Sequence, residues 1–121
     1  MGALGSTDPT PITAEAESGQ LCTLTVQRDP RGQHLLYYEG SESAAAILTP
    51  EIAELLTAVL SRRDRSVVMT RMPGGGACTL LVIGHQPARA TLYFHASTVT
   101  SAVLDAAGIE KLRAALGSLG A

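Results

Sequence analysis

Short stretches in which apolar and polar residues alternate dominate the chain from residue 20 onward. Residues 21–27 alternate in this way, and residues 35–39 form a second stretch that is rich in aromatic side chains. Successive side chains of a strand point to opposite faces, so this alternation predicts strands with one buried face. Residues 44–48 predict a third strand, although alanine is a weak strand former.

A helix is predicted directly after these three strands. Thr49 is a good N-cap residue, Pro50 suits the first helical position, and Glu51 places an acid in the first turn. Apolar residues then follow at helical spacing. They are Ile52, Leu55, Leu56, Val59 and Leu60. The helix is expected to end near Ser61.

The same series of elements recurs 56 residues further along. Residues 66–72 predict an additional strand, and residues 78–82, 91–95 and 99–104 then match the first three strands in order. Asp105 takes the N-cap position that Thr49 holds in the first series. A second helix is therefore expected from Asp105 to about residue 116.

The recurrence extends to residue identity. When residues 22–60 are aligned with residues 78–116 without a gap, 13 of the 39 positions are identical, where this composition gives roughly 3 by chance. The predicted fold class is therefore α+β. It has two tandem β-β-β-(β)-α repeats related by a pseudo-two-fold axis, with antiparallel sheets and the helices on one face.

The predicted domain organisation is one duplicated domain preceded by an arm. Residues 20–63 form the first repeat and residues 64–121 the second. Residues 1–19 contain mainly small, polar and acidic side chains, and they predict a disordered or loosely attached N-terminal arm. Within that arm, the segment around Ile12 can add an edge strand.

Alternation also divides the side chains of the predicted sheets between two faces. Cys22, Leu24 and Leu36 belong to the face that packs on the helices. The opposite face, here named the outer face, is partly apolar. A contiguous apolar patch marks a contact with a partner or with another copy. The alternative is that this face packs inside the chain, against the other repeat or the arm. The predicted interface residues are Leu35, Tyr37, Leu81, Ile83, Tyr93 and His95.

Composition and charge narrow the class of protein. The net charge is −2 with 17% charged residues, which lacks the basic excess of most nucleic-acid-binding proteins. Two cysteines are too few for a secreted disulfide framework. No run of about 18 apolar residues is present, and no secretory signal is visible, so we expect a cytoplasmic protein without a membrane partner. The excess of arginine over lysine indicates a GC-rich, bacterial genome.

Histidines, cysteines and a run of glycines are present, but their spacing matches no known metal, phosphate or catalytic motif. No histidine has a second ligand at zinc-site spacing, and Gly74–Gly76 lack the following Lys-Ser/Thr of a phosphate loop. Cys22 and Cys78 occupy equivalent positions and are expected to be buried thiols rather than a disulfide. We therefore expect no metal, no cofactor and no catalytic residue.

In element order and duplication, residues 10–117 resemble the family of transcriptional positive cofactor four and the Whirly-type proteins. That resemblance implies a fold of two such units and binding of single-stranded nucleic acid. Aromatic side chains on an open sheet can stack bases when basic groups follow the backbone. The residues for this role are Tyr37, Tyr93, Arg28, Arg62, Arg63, Arg65, Arg71 and Arg89. The family's lysine-rich surface is missing from this chain.

Three functional hypotheses follow from these observations. The preferred one is a non-enzymatic binding or regulatory module that acts through protein–protein contact as a homo-oligomer, with another copy or an unidentified protein as its partner. The second is a single-stranded nucleic-acid-binding protein of Whirly-like type. The third is a small-molecule enzyme or ligand-binding protein that uses a groove between the repeats.

Overall fold

The computed structural model describes residues 11–62, 64–85 and 88–120, and it contains one eight-stranded antiparallel sheet. The strands are β1 (Ile12–Glu15), β2 (Leu21–Arg28), β3 (His34–Glu39), β4 (Ser43–Leu48), β5 (Arg65–Arg71), β6 (Ala77–His85), β7 (Arg89–His95) and β8 (Val99–Leu104). Their order across the sheet is β4-β3-β2-β1-β8-β7-β6-β5. The expected α+β class is confirmed, although all the strands belong to a single sheet.

The helices α1 (Pro50–Arg62) and α2 (Ala106–Gly117) each follow the last strand of a half, and a short 3-10 turn (Ser118–Gly120) ends the described chain. Their predicted starts are confirmed by their caps. The Ile52 amide donates to Thr49 Oγ1 at 3.2 Å, and the Gly108 amide donates to Asp105 Oδ1 at 2.8 Å. Each cap satisfies one of the amides that the first turn leaves without a helical partner. Among the described residues, no helix is long and apolar enough to cross a membrane.

The prediction of a loose arm over residues 1–19 is wrong for β1. Residues 12–15 lie inside the sheet, between β2 and β8, rather than at an edge. Ile12 and Ala14 are buried, whereas Thr13 and Glu15 are exposed, so the short strand covers the core with its apolar side. Residues 1–10 lie outside the described part of the chain.

The two halves of the chain share their strand register. Each residue pair of the β1–β2–β3–β4 ladder recurs in the β5–β6–β7–β8 ladder when 56 is added to both numbers. Examples are Ile12↔Leu24 with Val68↔Leu80, and Thr25↔Tyr37 with Leu81↔Tyr93. Residues 56 apart are called counterparts below.

The halves meet at two seams, and the sheet is nearly closed. At one seam, β1 and β8 join through the single pair Glu15↔Val103. At the other, the edge strands β4 and β5 approach each other, and the Thr70 hydroxyl donates to the Ile47 carbonyl oxygen at 2.7 Å. Few backbone pairs therefore connect the halves at either seam, and core packing must supply much of their cohesion.

The core lies between the helices and the inner face of the sheet. The predicted helix-facing residues Cys22, Leu24 and Leu36 are all buried. The rings of Tyr38 and Phe94, which are counterparts, meet with their centroids 5.6 Å apart. The helices contact each other, α1 packs on β4, β5 and β6, and α2 packs on β1, β2, β7 and β8. This arrangement leaves the outer face of every strand without a helix.

Candidate functional site

The outer face of β5–β8, here named the second-half outer face, carries a group of exposed apolar side chains. Met69 is 80% exposed, and Val67 and Val99 are each 59% exposed. Leu81, Ile83 and Tyr93 lie on the same face and are partly exposed. Such large apolar side chains are costly to leave in water, so their presence on one face calls for an explanation.

Strand register brings these side chains into contact range. Three rows of paired residues cross the second half on its outer face. They run Val67–Leu81–Tyr93–Ser101, Met69–Thr79–His95–Val99 and Arg65–Ile83–Thr91–Val103. Directly opposed residues on one face of an antiparallel pair have Cβ atoms roughly 5 Å apart. The apolar residues therefore form one contiguous patch.

Basic and imidazole side chains surround this patch. Arg65 and Arg71 stand at the two ends of β5, and Arg89 begins β7. His85 ends β6, where its Nε2 lies 3.3 Å from Thr91 Oγ1, and His95 ends β7. Among the described outer-face residues of β5–β8 no carboxylate is present. The second-half outer face is thus an apolar centre within a basic rim.

Tyr93 is held in place by residues that follow β1. Its hydroxyl donates to Glu17 Oε2 at 2.6 Å, and the Glu17 amide donates to Ser101 Oγ at 3.0 Å. The hydrogen bond to Glu17 raises the pKa of Tyr93, with smaller effects in the same direction from burial and from the charge of Glu17. The phenol therefore points toward the first half while its ring remains in the patch, 6.2 Å from the His95 ring.

The predicted interface residues separate into two groups. Leu81, Ile83, Tyr93 and His95 all lie together on the second-half outer face. Leu35 and Tyr37 lie on β3, which is four strand spacings of roughly 4.8 Å from β7. Leu35 is 9% exposed, so it offers little surface to a partner.

The predicted basic residues are also divided. Arg65, Arg71 and Arg89 form the rim already described. Arg28 is the last residue of β2, where alternation assigns it to the inner face rather than to the outer face. Arg62 is the last residue of α1. Arg63 lies outside the described residues. The structure therefore groups three of these arginines around Tyr93 and leaves Tyr37 apart from them.

The exposure of Val67, Met69 and Val99 was not predicted from the sequence. In residues 65–71 apolar side chains occur at neighbouring positions, so alternation alone does not assign a face. The signal was available in the repeat, because Val68 is the counterpart of Ile12 and both are buried. That equivalence puts Val67 and Met69 on the opposite face.

The two cysteines, whose thiols are potential nucleophiles, lie inside the protein. Cys22 and Cys78 are free and buried, as expected, and burial raises the pKa of both thiols. Protonated, enclosed thiols are poor nucleophiles. Within the described ranges, no group of three or more His, Cys, Asp or Glu side chains is arranged to hold a metal ion.

Comparison of the chain with models of protein families, with curated proteins and with solved structures finds no match. The shape and chemistry of the second-half outer face therefore carry the functional argument.

Proposed function

We propose that this protein is a non-enzymatic, cytoplasmic binding module that acts through protein–protein contact at its second-half outer face. The observation that carries the proposal is the contiguous apolar patch around Met69, whose side chain is 80% exposed. Burying apolar surface stabilises a contact by about 25 cal/mol per Å². The arginine rim adds selectivity for an acidic partner surface.

A second copy of the chain offers a suitable partner surface. The charged residues on the outer face of β1–β4, here named the first-half outer face, are Glu15 and Glu39, both exposed. Leu21, which is 71% exposed, lies on the same face. Two basic rims would repel each other if the patch met its own copy. We therefore propose a head-to-tail contact of the second-half outer face with the first-half outer face of the next copy.

Complementation between two surface variants tests this arrangement. Met69→Asp places a charge in the apolar centre, and Thr23→Arg combined with Glu39→Arg makes the opposite face basic. We expect wild-type protein to self-associate in sedimentation velocity and each variant to be a monomer. An equimolar mixture should form dimers, because each variant keeps the face that the other has lost.

The matched control is Thr13→Asp at the counterpart of Met69. This change adds an acid to the face that meets the basic rim, so association should persist. A wild-type chain that stays monomeric at millimolar concentration would refute self-association. A mixture that stays monomeric, although the wild type associates, would refute the head-to-tail arrangement.

A Whirly-like single-stranded nucleic-acid-binding protein is the second candidate. The observation in its favour is that Arg65, Arg71 and Arg89 surround Tyr93 on one face. Phosphate binding releases counterions, so affinity for an oligonucleotide would fall steeply with salt. The protein contact combines apolar burial with the charge complementarity of the rim, so its affinity should fall far less steeply with salt. Salt-sensitive oligonucleotide binding that Tyr93→Ala abolishes would favour this candidate.

We also infer that the two halves arose by duplication and are related by a pseudo-two-fold axis. Their shared element order, the register offset of 56 and the similar position of the two seams support this inference. A crystal structure provides the test. Residues 12–60 should superpose on residues 68–116 after a rotation near 180°, and a different strand order in either half would contradict duplication.

A further inference from the structure

A cleft of about 340 Å³ opens at the seam between β1 and β8. Its apolar lining includes Leu21, which is 71% exposed, and Val103, which is partly exposed, whereas Ile12 and Ala14 also line it but are almost fully buried. Ala107 and Gly108 from the first turn of α2 contribute to the lining as well. Because β1 and β8 pair only at Glu15↔Val103, the strands separate beyond that point. The cleft is large enough for a small organic molecule, and its lining combines apolar and polar side chains.

Charged side chains also line the cleft. Arg89 and Lys111 bring two cations, and Glu15 and Asp105 bring two carboxylates. The Asp105 carboxylate is already engaged, because its Oδ1 accepts from the Gly108 amide at 2.8 Å. Neither Arg89 nor Lys111 forms an ion pair with another described residue. The two cations are therefore available to a ligand.

The β4–β5 seam has different residues at the positions equivalent to the cleft lining. At the seam of β4 and β5, Thr70 stands in place of Ala14, and Ile52 in place of Gly108. Ile52 packs against the core, and the Thr70 hydroxyl bonds across the seam to Ile47. The counterparts of Arg89 and Lys111 are uncharged, namely Gln33 and Leu55. Of the two seams, as far as the described residues show, it is the β1–β8 seam that combines small residues with unpaired cations.

We propose that this cleft binds a small monocarboxylate that carries a short apolar tail. Arg89 can hold a carboxylate through two parallel N–H···O bonds, and Lys111 adds a second cation. The tail lies against Leu21 and Val103, the lining residues with exposed apolar surface. Glu15 and Asp105 keep the local charge near neutral, which disfavours doubly charged ligands such as inorganic phosphate.

Titration of ¹⁵N-labelled full-length protein with sodium hexanoate tests the proposal. We expect saturable shifts of the Ala107 and Gly108 amide signals. Hexanamide and hexylammonium have the same chain length without the negative charge, and they should bind at least tenfold more weakly. Inorganic phosphate should bind at least tenfold more weakly too, since it lacks the apolar tail.

The variant for this test combines Arg89→Gln with Lys111→Leu, which installs the residues of the other seam. Both positions are exposed, so folding should be retained, and affinity for hexanoate should fall at least tenfold. Arg62→Gln, which removes a cation from the end of α1, should bind as the wild type does. Absence of saturable hexanoate shifts, equal binding of hexanamide, or unchanged binding by the double variant would each overturn the proposal.

Discussion

The two halves of this protein are alike inside and different outside. On the inner face, Leu24 and its counterpart Leu80 are both fully buried. On the outer face, Thr13 has Met69 as its counterpart, and Glu39 has His95. Core positions are constrained by close packing, which penalises changes of even one methylene. Outer positions are not constrained in this way, so the halves can differ there while keeping one fold.

The outer faces of the two halves differ consistently in polarity and in charge. Thr25, Gln27 and Ser43 of the first half are polar. Their counterparts in the second half are Leu81, Ile83 and Val99. Acidic residues accompany the polar face, and arginines surround the apolar one. A surface that differs in this way on two similar frameworks indicates separate roles for the two faces, and the following experiments test that difference.

Truncation of the equivalent core leucines should have the largest effect. Leu24→Ala and Leu80→Ala should each lower the free energy of unfolding by about 3–5 kcal/mol, because each leaves a cavity in a fully buried region. Urea denaturation followed by circular dichroism measures both. If the two losses differ by more than about 2 kcal/mol, the cores of the halves are not equivalent.

High pH should reveal a smaller difference between the cores. Burial, aided by Cys22 and nearby charges, raises the pKa of Tyr38 from 10.0 to about 12. The folded state thus retains a proton that the unfolded state loses above pH 10. The contribution of Tyr38 to the free energy of unfolding is fully present below pH 10, and on the order of 2–3 kcal/mol of it is lost as pH rises to 12.

Tyr38→Phe gives the first half the residue that its counterpart Phe94 supplies in the second. This variant should lose less stability between pH 10 and 12 than the wild type in urea denaturation. Absorbance at 295 nm should also lack the tyrosine that ionises near pH 12. Equal slopes in the two proteins would show that Tyr38 ionises as readily folded as unfolded.

The helix caps should show an intermediate effect that is similar in both halves. Thr49→Ala and Asp105→Ala each remove the acceptor for one first-turn amide, at a cost of about 1 kcal/mol. For a domain of this size the melting temperature should fall by roughly 3–6 °C. Asp105→Asn keeps an acceptor and should retain most of the stability. A loss in only one half would indicate that the other helix start is fixed by packing.

Conversion of one outer face toward the other should change stability least. Thr13→Met with Ser43→Val copies two apolar residues of the second half onto exposed first-half positions. Stability should change by less than about 0.5 kcal/mol, while self-association measured by light scattering should tighten. Ser97→Val, in the exposed turn between β7 and β8, is the control for general stickiness. If self-association tightens equally in that control, the effect is not specific to the first-half outer face.

Local sequence signals were sufficient for most of the elements. The alternation in residues 21–27 and the cap residues Thr49 and Asp105 each depend on neighbours within a few positions, and the structure confirms them. The place of β1 was not predictable in this way. Its apolar residues gain a buried environment from β2, β8 and α2, and both β8 and α2 lie far along the chain.

Prediction of the candidate sites likewise required knowledge of contacts between residues that lie far apart in the chain. Tyr93 and Leu81 were assigned to the outer face because their counterparts Tyr37 and Thr25 belong to that face in the first half, where the alternation is clear. The face of Val67 and Met69 followed only from the equivalence of Val68 with Ile12, and the pairing of β5 with β6 agrees with it. The cleft was not predictable, because its walls come from β1 and β8 and its width depends on how far these two strands separate.

The β1–β8 seam also has a consequence for how the chain folds during synthesis. Glu17 and Ser101, which are hydrogen-bonded across this seam, are 84 residues apart. The hairpins of the first half can form as they leave the ribosome, but the second edge of β1 stays open until the last strand has been made. Contacts at such separation form slowly, because a long loop must close first. During that interval β8 of a neighbouring nascent chain can pair with the open edge, and a domain-swapped dimer would result.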